Sequence, residues 1–169
     1  DNEAFCRGKE LLFHGDSSAS ITNYGIIRAS NGFIALIGLK LENRGLLEAP
    51  GETVALASGE RILLKPDGNQ RIFIEAPIAN TKRETGIIND GTIRALQTEI
   101  RSAGTPYTYA IRHEGTIEVT GTTTDDRGRI FLVAKSGKVE SNGSITAPEG
   151  EIHLLGDRVH VASNARLST

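Results

Sequence analysis

The chain has 169 residues, enough for one domain with a sizeable core, and its formal net charge of −2 leaves no basic footprint for nucleic acid or an anionic membrane. Hydrophobic residues make up 38%, yet no run approaches the roughly 18 apolar residues of a membrane-spanning helix. With 19 glycines, no Trp and a single cysteine, Cys6, the composition suits a narrow, regular core and excludes an internal disulfide.

One short phrase recurs along the chain, and internal repeats decide an architecture before any secondary structure does. Residues 21–29 read ITNYGIIRA around Gly25, and a Ser-Asn-Gly turn then leads to a strand carrying Ile34 and Leu36. Residues 41–49 read LENRGLLEA around Gly45, followed by a Pro50-Gly51 corner and a strand with Val54 and Leu56. Residues 62–75 (ILLKPDGNQRIFIE) place a Pro-Asp-Gly turn, with Asp67 at its tip, between two apolar runs, which predicts an antiparallel hairpin leaving the main body.

The phrase returns at 87–95 (IINDGTIRA) around Gly91, and residues 101–112 then form a predicted loop carrying Tyr107 and Tyr109. It recurs at 111–119 (IRHEGTIEV) around Gly115, before an Asp-Arg-Gly turn and the pair Ile130 and Leu132. At 139–147 (VESNGSITA) it surrounds Gly143, and a Pro-Glu-Gly turn then precedes Ile152 and Leu154. A degenerate sixth copy, VASNARLST over 161–169, has Ala165 in place of the glycine. Extra-helical excursions such as Asp67, Tyr107 and Tyr109 are the places for partner binding on a repeat scaffold.

Within each phrase the period is two. Even offsets from the glycine hold an aliphatic residue, a small polar residue, glycine, an aliphatic residue and a small residue, whereas odd offsets are mostly charged or polar. That alternation marks a strand with one face buried and the other in water. The inward positions place Asn23, Asn43 and Asn89 to form an amide ladder. Glycine-to-glycine spacings of 20, 46, 24, 28 and 22 residues fit stacked rungs of about 20 residues, the long interval taken as two. The expected fold is an all-β parallel β-helix of about seven coils. Leucine-rich repeats are excluded by the absence of their L-x-x-L-x-L spacing and of a helical half-repeat.

The runs FHGDSSASITNYGIIRASNGFIALIG, ENRGLLEAPGETVALASGERILL and GEIHLLGDRVHVASNARLST together resemble the filamentous-haemagglutinin family, the passenger proteins of two-partner secretion. The resemblance spans nearly the whole chain and includes the hairpin after VALASGE. It implies a right-handed parallel β-helix, without enzymatic activity or cofactor, forming one segment of a larger exoprotein of adhesin, haemolysin or contact-dependent inhibition type. It also implies export through the periplasm to the cell surface or medium. The implied partners are a dedicated outer-membrane transporter with POTRA domains and a host or neighbouring cell surface. The family's N-terminal cap and its N-P-N-G and N-P-x-L motifs are missing, so the chain is expected to begin downstream of them, and no recognition residue carries over by position.

Several side chains invite chemistry of their own. Asp125 and Asp126, with Arg127 and Arg129 nearby, are the best carboxylate pair for a carbohydrate-active β-helix enzyme or a calcium site, although they sit in a predicted turn. The alternative to both readings is an adhesin module that binds glycan directly through the 101–112 loop. His14, His113, His153 and His160 lack the spacing of a zinc site, and His113 takes the ladder position that other copies give to Asn. No metal site is assigned. The Asn142-Gly143-Ser144 sequon is already explained by the repeat.

Overall fold

The computed structural model describes residues 3, 7, 9–15, 19–65, 72–74, 85–103, 109–120 and 128–169. Asp67, Tyr107, Asp125, Asp126, Arg127 and Cys6 lie outside the described residues. The described chain is all-β and is dominated by one 13-stranded sheet whose pairings are parallel.

Three parallel ladders make up that sheet. The first stacks β2 (Ser20–Asn23), β5 (Lys40–Asn43), β9 (Ile87–Asn89), β11 (Ile111–His113) and the last residues of β13 (Arg129–Ser141) and β15 (Glu151–Val161). The second stacks β3 (Ile26–Arg28), the start of β6 (Leu46–Ser58) and of β10 (Thr92–Ser102), then β12 (Thr116–Val119), β14 (Ser144–Thr146) and β16 (Arg166–Ser168). The third stacks β4 (Ile34–Gly38) on the remaining halves of β6, β10, β13 and β15. Long strands therefore serve two ladders each, and they change ladder where the register shifts, as between Ala95 and Gln97 or between Ala134 and Lys138. At one such corner Pro50, Gly51 and Glu52 lie opposite the single residue Leu96.

Period-two patterning sends alternate side chains inward, and in parallel register equivalent residues stack. Leu41, Ile87, Ile111 and Val139 form one column, Leu47, Ile93, Ile117 and Ile145 a second, and Leu56, Ile100 and Leu132 a third. Every one of these side chains is at most 1% exposed. Burying each stabilises the fold by about 1.5–3 kcal/mol. Small Ala49, Ala95, Val119 and Ala147 fill the narrower positions.

The 46-residue interval between Gly45 and Gly91 holds one level rather than two. Leu41 pairs directly with Ile87 and Leu46 with Thr92, so the stack has six levels where the glycine spacing predicted about seven. The additional residues include β7 (Arg61–Leu64) and β8 (Ile72–Ile74), which pair antiparallel with Ile62 opposite Ile74, as the sequence leads one to expect.

The hairpin does not leave the main body. It is joined by β1 (Leu11–His14), antiparallel to β7, and packs back on the outside of the third ladder. There Ala55 and Ala57 are fully buried together with Ile62, Leu64 and Ile72, while Ala35 and Ile37 pack against them. Small outward residues let the second sheet approach at packing distance, so this stretch of β6 is apolar on both faces.

A second correction concerns the sixth copy. Val139 pairs with Val159, not Val161, while Ser144 still pairs with Arg166. Two additional residues are therefore accommodated in the corner between Val161 and Arg166, a turn closed by the Ala165 amide on the Ala162 carbonyl at 3.0 Å.

Candidate functional site

The repeated phrase builds a seam along one corner of the stack. Asn23 Nδ2 donates to Asn43 Oδ1 at 2.8 Å, Asn43 Nδ2 donates to Asn89 Oδ1 at 2.8 Å, and Asn89 Nδ2 meets His113 Nδ1 at 3.1 Å. The ladder runs in one direction, with an acceptor needed at its end. His113 supplies it. Its Nε2 lies 3.2 Å from the Ser144 carbonyl, which only accepts, so the proton sits on Nε2 and Nδ1 is free to accept from Asn89. The following position, Ser141, is fully buried and its hydroxyl has no partner among the described residues.

Two residues beyond each Asn, the glycines stack as tightly as backbone allows. A Cβ on Gly45 would fall on the Gly25 carbonyl oxygen, one on Gly91 on that of Gly45, one on Gly115 on that of Gly91, and one on Gly143 on that of Gly115. Each Asn carbonyl also accepts twice from the next level: Asn43 O takes the Asp90 amide at 2.9 Å and the Gly91 amide at 2.8 Å. The corner geometry thus leaves no volume for a side chain at the glycine.

A second polar column closes another corner, where Ser58 Oγ donates to Ser102 Oγ at 2.8 Å and both are fully buried. Gly86 sits against them: an added Cβ would lie 2.7 Å from either hydroxyl. Tyr109 belongs to this region. It is half-buried, its carbonyl accepts from the Gly86 amide at 3.1 Å, and Lys138 Nζ lies 4.2 Å from its ring centre.

The outward positions carry alternating charge. Arg28 pairs with Glu48 on the adjacent level, and Arg94 with Glu118 at 3.3 Å. At the neighbouring corner Arg44 bonds Glu42 at 2.6 Å and lies 4.0 Å from Asp90, while Arg112 pairs with Glu114. Burial raises the Asp90 pKa above the ordinary carboxylate value, and the Glu114 charge adds to this against the pull of Arg44. Exposed pairs of this kind contribute about 0–1 kcal/mol each. Along the second ladder Arg28, Glu48, Arg94 and Glu118 alternate in sign from level to level.

Glu99 is the polar group that sequence reading missed. It occupies the outward position that Ala55 holds one level earlier, and it is fully buried because the hairpin covers it. Its carboxylate accepts from Arg101 Nε at 3.0 Å, Gln97 Nε2 at 3.1 Å and the Ile72 amide at 3.3 Å. Arg101 in turn lies 5.8 Å above the Phe131 ring, and Phe131 stacks on His153 with centroids 4.8 Å apart. The only sequence cue is an acidic residue alternating with Gln and Arg, which reads as an ordinary solvated face. Beside this cluster, Phe73, Ile74, Val133 and Leu155 line a cleft of about 380 Å³ with Arg101, Lys135 and Asp157 at its rim.

His153 contacts Glu151 at 3.1 Å in the third ladder and His160 contacts Glu140 at 3.3 Å in the first. Among the described residues no group of three or more His, Cys, Asp or Glu side chains is placed to hold a metal ion. Arg129 lies 3.7 Å from Glu151 on the next level, and the acidic pair at 125–126 lies outside the described residues. No family model matches the chain, and no curated protein matches it either.

Two outcomes are expected from the seam. Gly91→Ala places a methyl 2.8 Å from the Arg44 carbonyl carbon and the Gly45 nitrogen and should destabilise the fold by about 3 kcal/mol, whereas Gly25→Ala, whose nearest neighbour is Asn23 Oδ1 at 4.0 Å, should cost under about 1 kcal/mol in dilute denaturant titrations. The second concerns acid. Burial pushes the His113 imidazole below its ordinary value, more than its bonds to Ser144 and Asn89 and the Glu114 charge restore. A depressed folded pKa gives stability that is complete above the unfolded value of about 6.5 and is lost as pH falls toward the folded value. Protonation would also set a second donor against Asn89. His113→Asn continues the amide ladder without a titratable group, so the loss of stability between about pH 6.5 and 5 should be smaller than in the wild-type protein.

Proposed function

We propose that this chain is a right-handed parallel β-helix of six coils serving as a scaffold and export segment of a two-partner-secretion exoprotein. What carries the reading is the level-on-level register, in which each strand of a ladder pairs with its equivalent one repeat away. Parallel strands joined by crossovers within one sheet are right-handed in about 98% of cases, which supports the hand.

Such a stack suits passage through an outer-membrane barrel as an unfolded chain. Each level needs only the previous one to bury its inward residues and pair its backbone, so folding proceeds in the order in which residues emerge. The antiparallel sheet fits the same order, since β1 and β7 meet before the third level is made. Docking of each emerging level removes an extended segment from the exit and disfavours its return. The segment itself performs no catalysis; adhesive or effector activity belongs to other parts of the exoprotein, and display at a host or neighbouring cell surface is its purpose.

Recognition by the transporter is the testable part. The POTRA domains of the cognate transporter should bind this chain, once restored at its N-terminus, in a calorimetric titration, and deletion of residues 20–169 should abolish secretion of the exoprotein. Absence of binding together with undiminished secretion of the deleted form would contradict the proposal.

A further inference from the structure

We propose that Asn142 is a site of self-modification, at which the backbone nitrogen of Gly143 attacks the Asn142 side chain and converts it to aspartate and isoaspartate. Asn-Gly pairs suit this cyclisation because glycine places no side chain in the way of its own nitrogen. The chain has two of them: Asn31-Gly32, in the exposed turn that follows the first phrase, and Asn142-Gly143, in the glycine seam. An amide nitrogen already engaged in a hydrogen bond is held back from the attack, so the bonding of the seam decides whether the second pair reacts.

The Gly45, Gly91 and Gly115 amides donate to the Asn23, Asn43 and Asn89 carbonyls of the preceding level, at 3.1, 2.8 and 2.9 Å. By the same register Gly143 stands over the level of His113. There the His113 carbonyl takes the Asn142 amide at 2.7 Å, and the Gly143 amide has no partner among the described residues. The Asn142 side chain is only partly buried and has none either. His113 is what differs at this corner. Its ring takes the place of the smaller Asn, and its Nε2 comes within 2.8 Å of the Cβ position of Gly143, where the nearest atoms at Gly45, Gly91 and Gly115 are all backbone. The residue that ends the amide ladder thus leaves the next glycine nitrogen free. Asp90-Gly91 is the contrast: aspartate before glycine cyclises by the same route, but the Gly91 amide is tied to the Asn43 carbonyl.

The Gly143 nitrogen gives its proton to hydroxide and bonds to Asn142 Cγ. The Cγ–Nδ2 bond breaks, Nδ2 leaves as ammonia, and a five-membered succinimide remains. Water then opens the ring. Cleavage between Cγ and the nitrogen gives aspartate, and cleavage between the Asn142 main-chain carbonyl carbon and the nitrogen gives isoaspartate. One water is consumed and one ammonia released in all. Isoaspartate lengthens the main chain by one atom beside Gly143, whose Cβ position the Gly115 carbonyl oxygen already occupies. Aspartate sets a carboxylate one level from Glu114. Either product loosens the fifth level, so the pair is a slow, irreversible timer built into the scaffold.

Peptide mapping by mass spectrometry of the full chain, held folded in mildly alkaline buffer, tests this. Asn142 and Asn31 should both deamidate, while Asp90 should stay unisomerised. His113→Asn returns the corner to the form of the other levels and lets the Gly143 amide bond. It should slow conversion of Asn142 by about tenfold, the equivalent of one net hydrogen bond, and leave Asn31 unchanged. Native-state hydrogen exchange needs no variant: the Gly143 amide should exchange at least about tenfold faster than those of Gly91 and Gly115. An Asn142 that stays intact while Asn31 converts would overturn the proposal. So would a Gly143 amide as protected as that of Gly91, or a conversion of Asn142 not slowed in a His113→Asn protein whose Gly91 amide remains protected.

Discussion

Backbone contact at the glycine seam is the constraint on which the rest of the structure depends. Where Gly45, Gly91, Gly115 and Gly143 pass over the preceding level, a carbonyl oxygen occupies the space that any other residue would need for its Cβ. That approach fixes the register of the Asn column two residues earlier and of the aliphatic column two residues later, because all three lie on the same face of one strand path. A slip of one residue would turn every inward side chain outward. Polar satisfaction along the Asn column follows from the same register: amides that stack in line pass a hydrogen bond from level to level, and His113 accepts the last one.

Much of this was legible because the phrase is written in backbone terms. Glycine, Asn and alternating aliphatics state where a strand lies, which face it buries and where it bends. The turn-and-strand pairs Ile34 with Leu36, Val54 with Leu56, Ile130 with Leu132 and Ile152 with Leu154 all stand in the third ladder, as expected. The level containing Thr98 and Ile100 carries no such turn signal, since Leu96 alone rounds the corner that Pro50, Gly51 and Glu52 round elsewhere. Chain length misled where insertion and level count give the same number. The interval between Gly45 and Gly91 is long because a hairpin is inserted, not because a level is added. The sixth copy misled for a related reason: two residues added at a corner shift the apparent alignment without disturbing the strand pairing on either side.

What escaped sequence reading depends on a second layer. Ala35, Ala55 and Ala57 are small on a face expected to be solvated, and Glu99 and Arg101 are charged on the same face one level further on. Only the position of the antiparallel sheet distinguishes them. Glu99 and Arg101 pair within one strand, and removing one partner of such a buried pair costs about 3–5 kcal/mol; the Ile72 amide, donated to the Glu99 carboxylate at 3.3 Å, joins this cluster to the hairpin. Stability therefore resides in two places: a sum over similar level interfaces, and one clamp where the hairpin crosses the third ladder. A scaffold arranged in this way extends by repetition and gains individuality through what is laid on its outer faces, which is consistent with a role in export and display.

The most direct test of the central claim is the contact between the levels of Gly45 and Gly91, separated by 46 residues in the chain. In an isotope-labelled sample, nuclear Overhauser spectra should connect the Gly91 amide proton to protons of Asn43, Arg44 and Gly45, and the Asn43 side-chain amide to Asn89. Cross-peaks from Gly91 and Asn89 to residues of the 62–74 segment instead, with none to residues 43–45, would place another level between them and contradict the account.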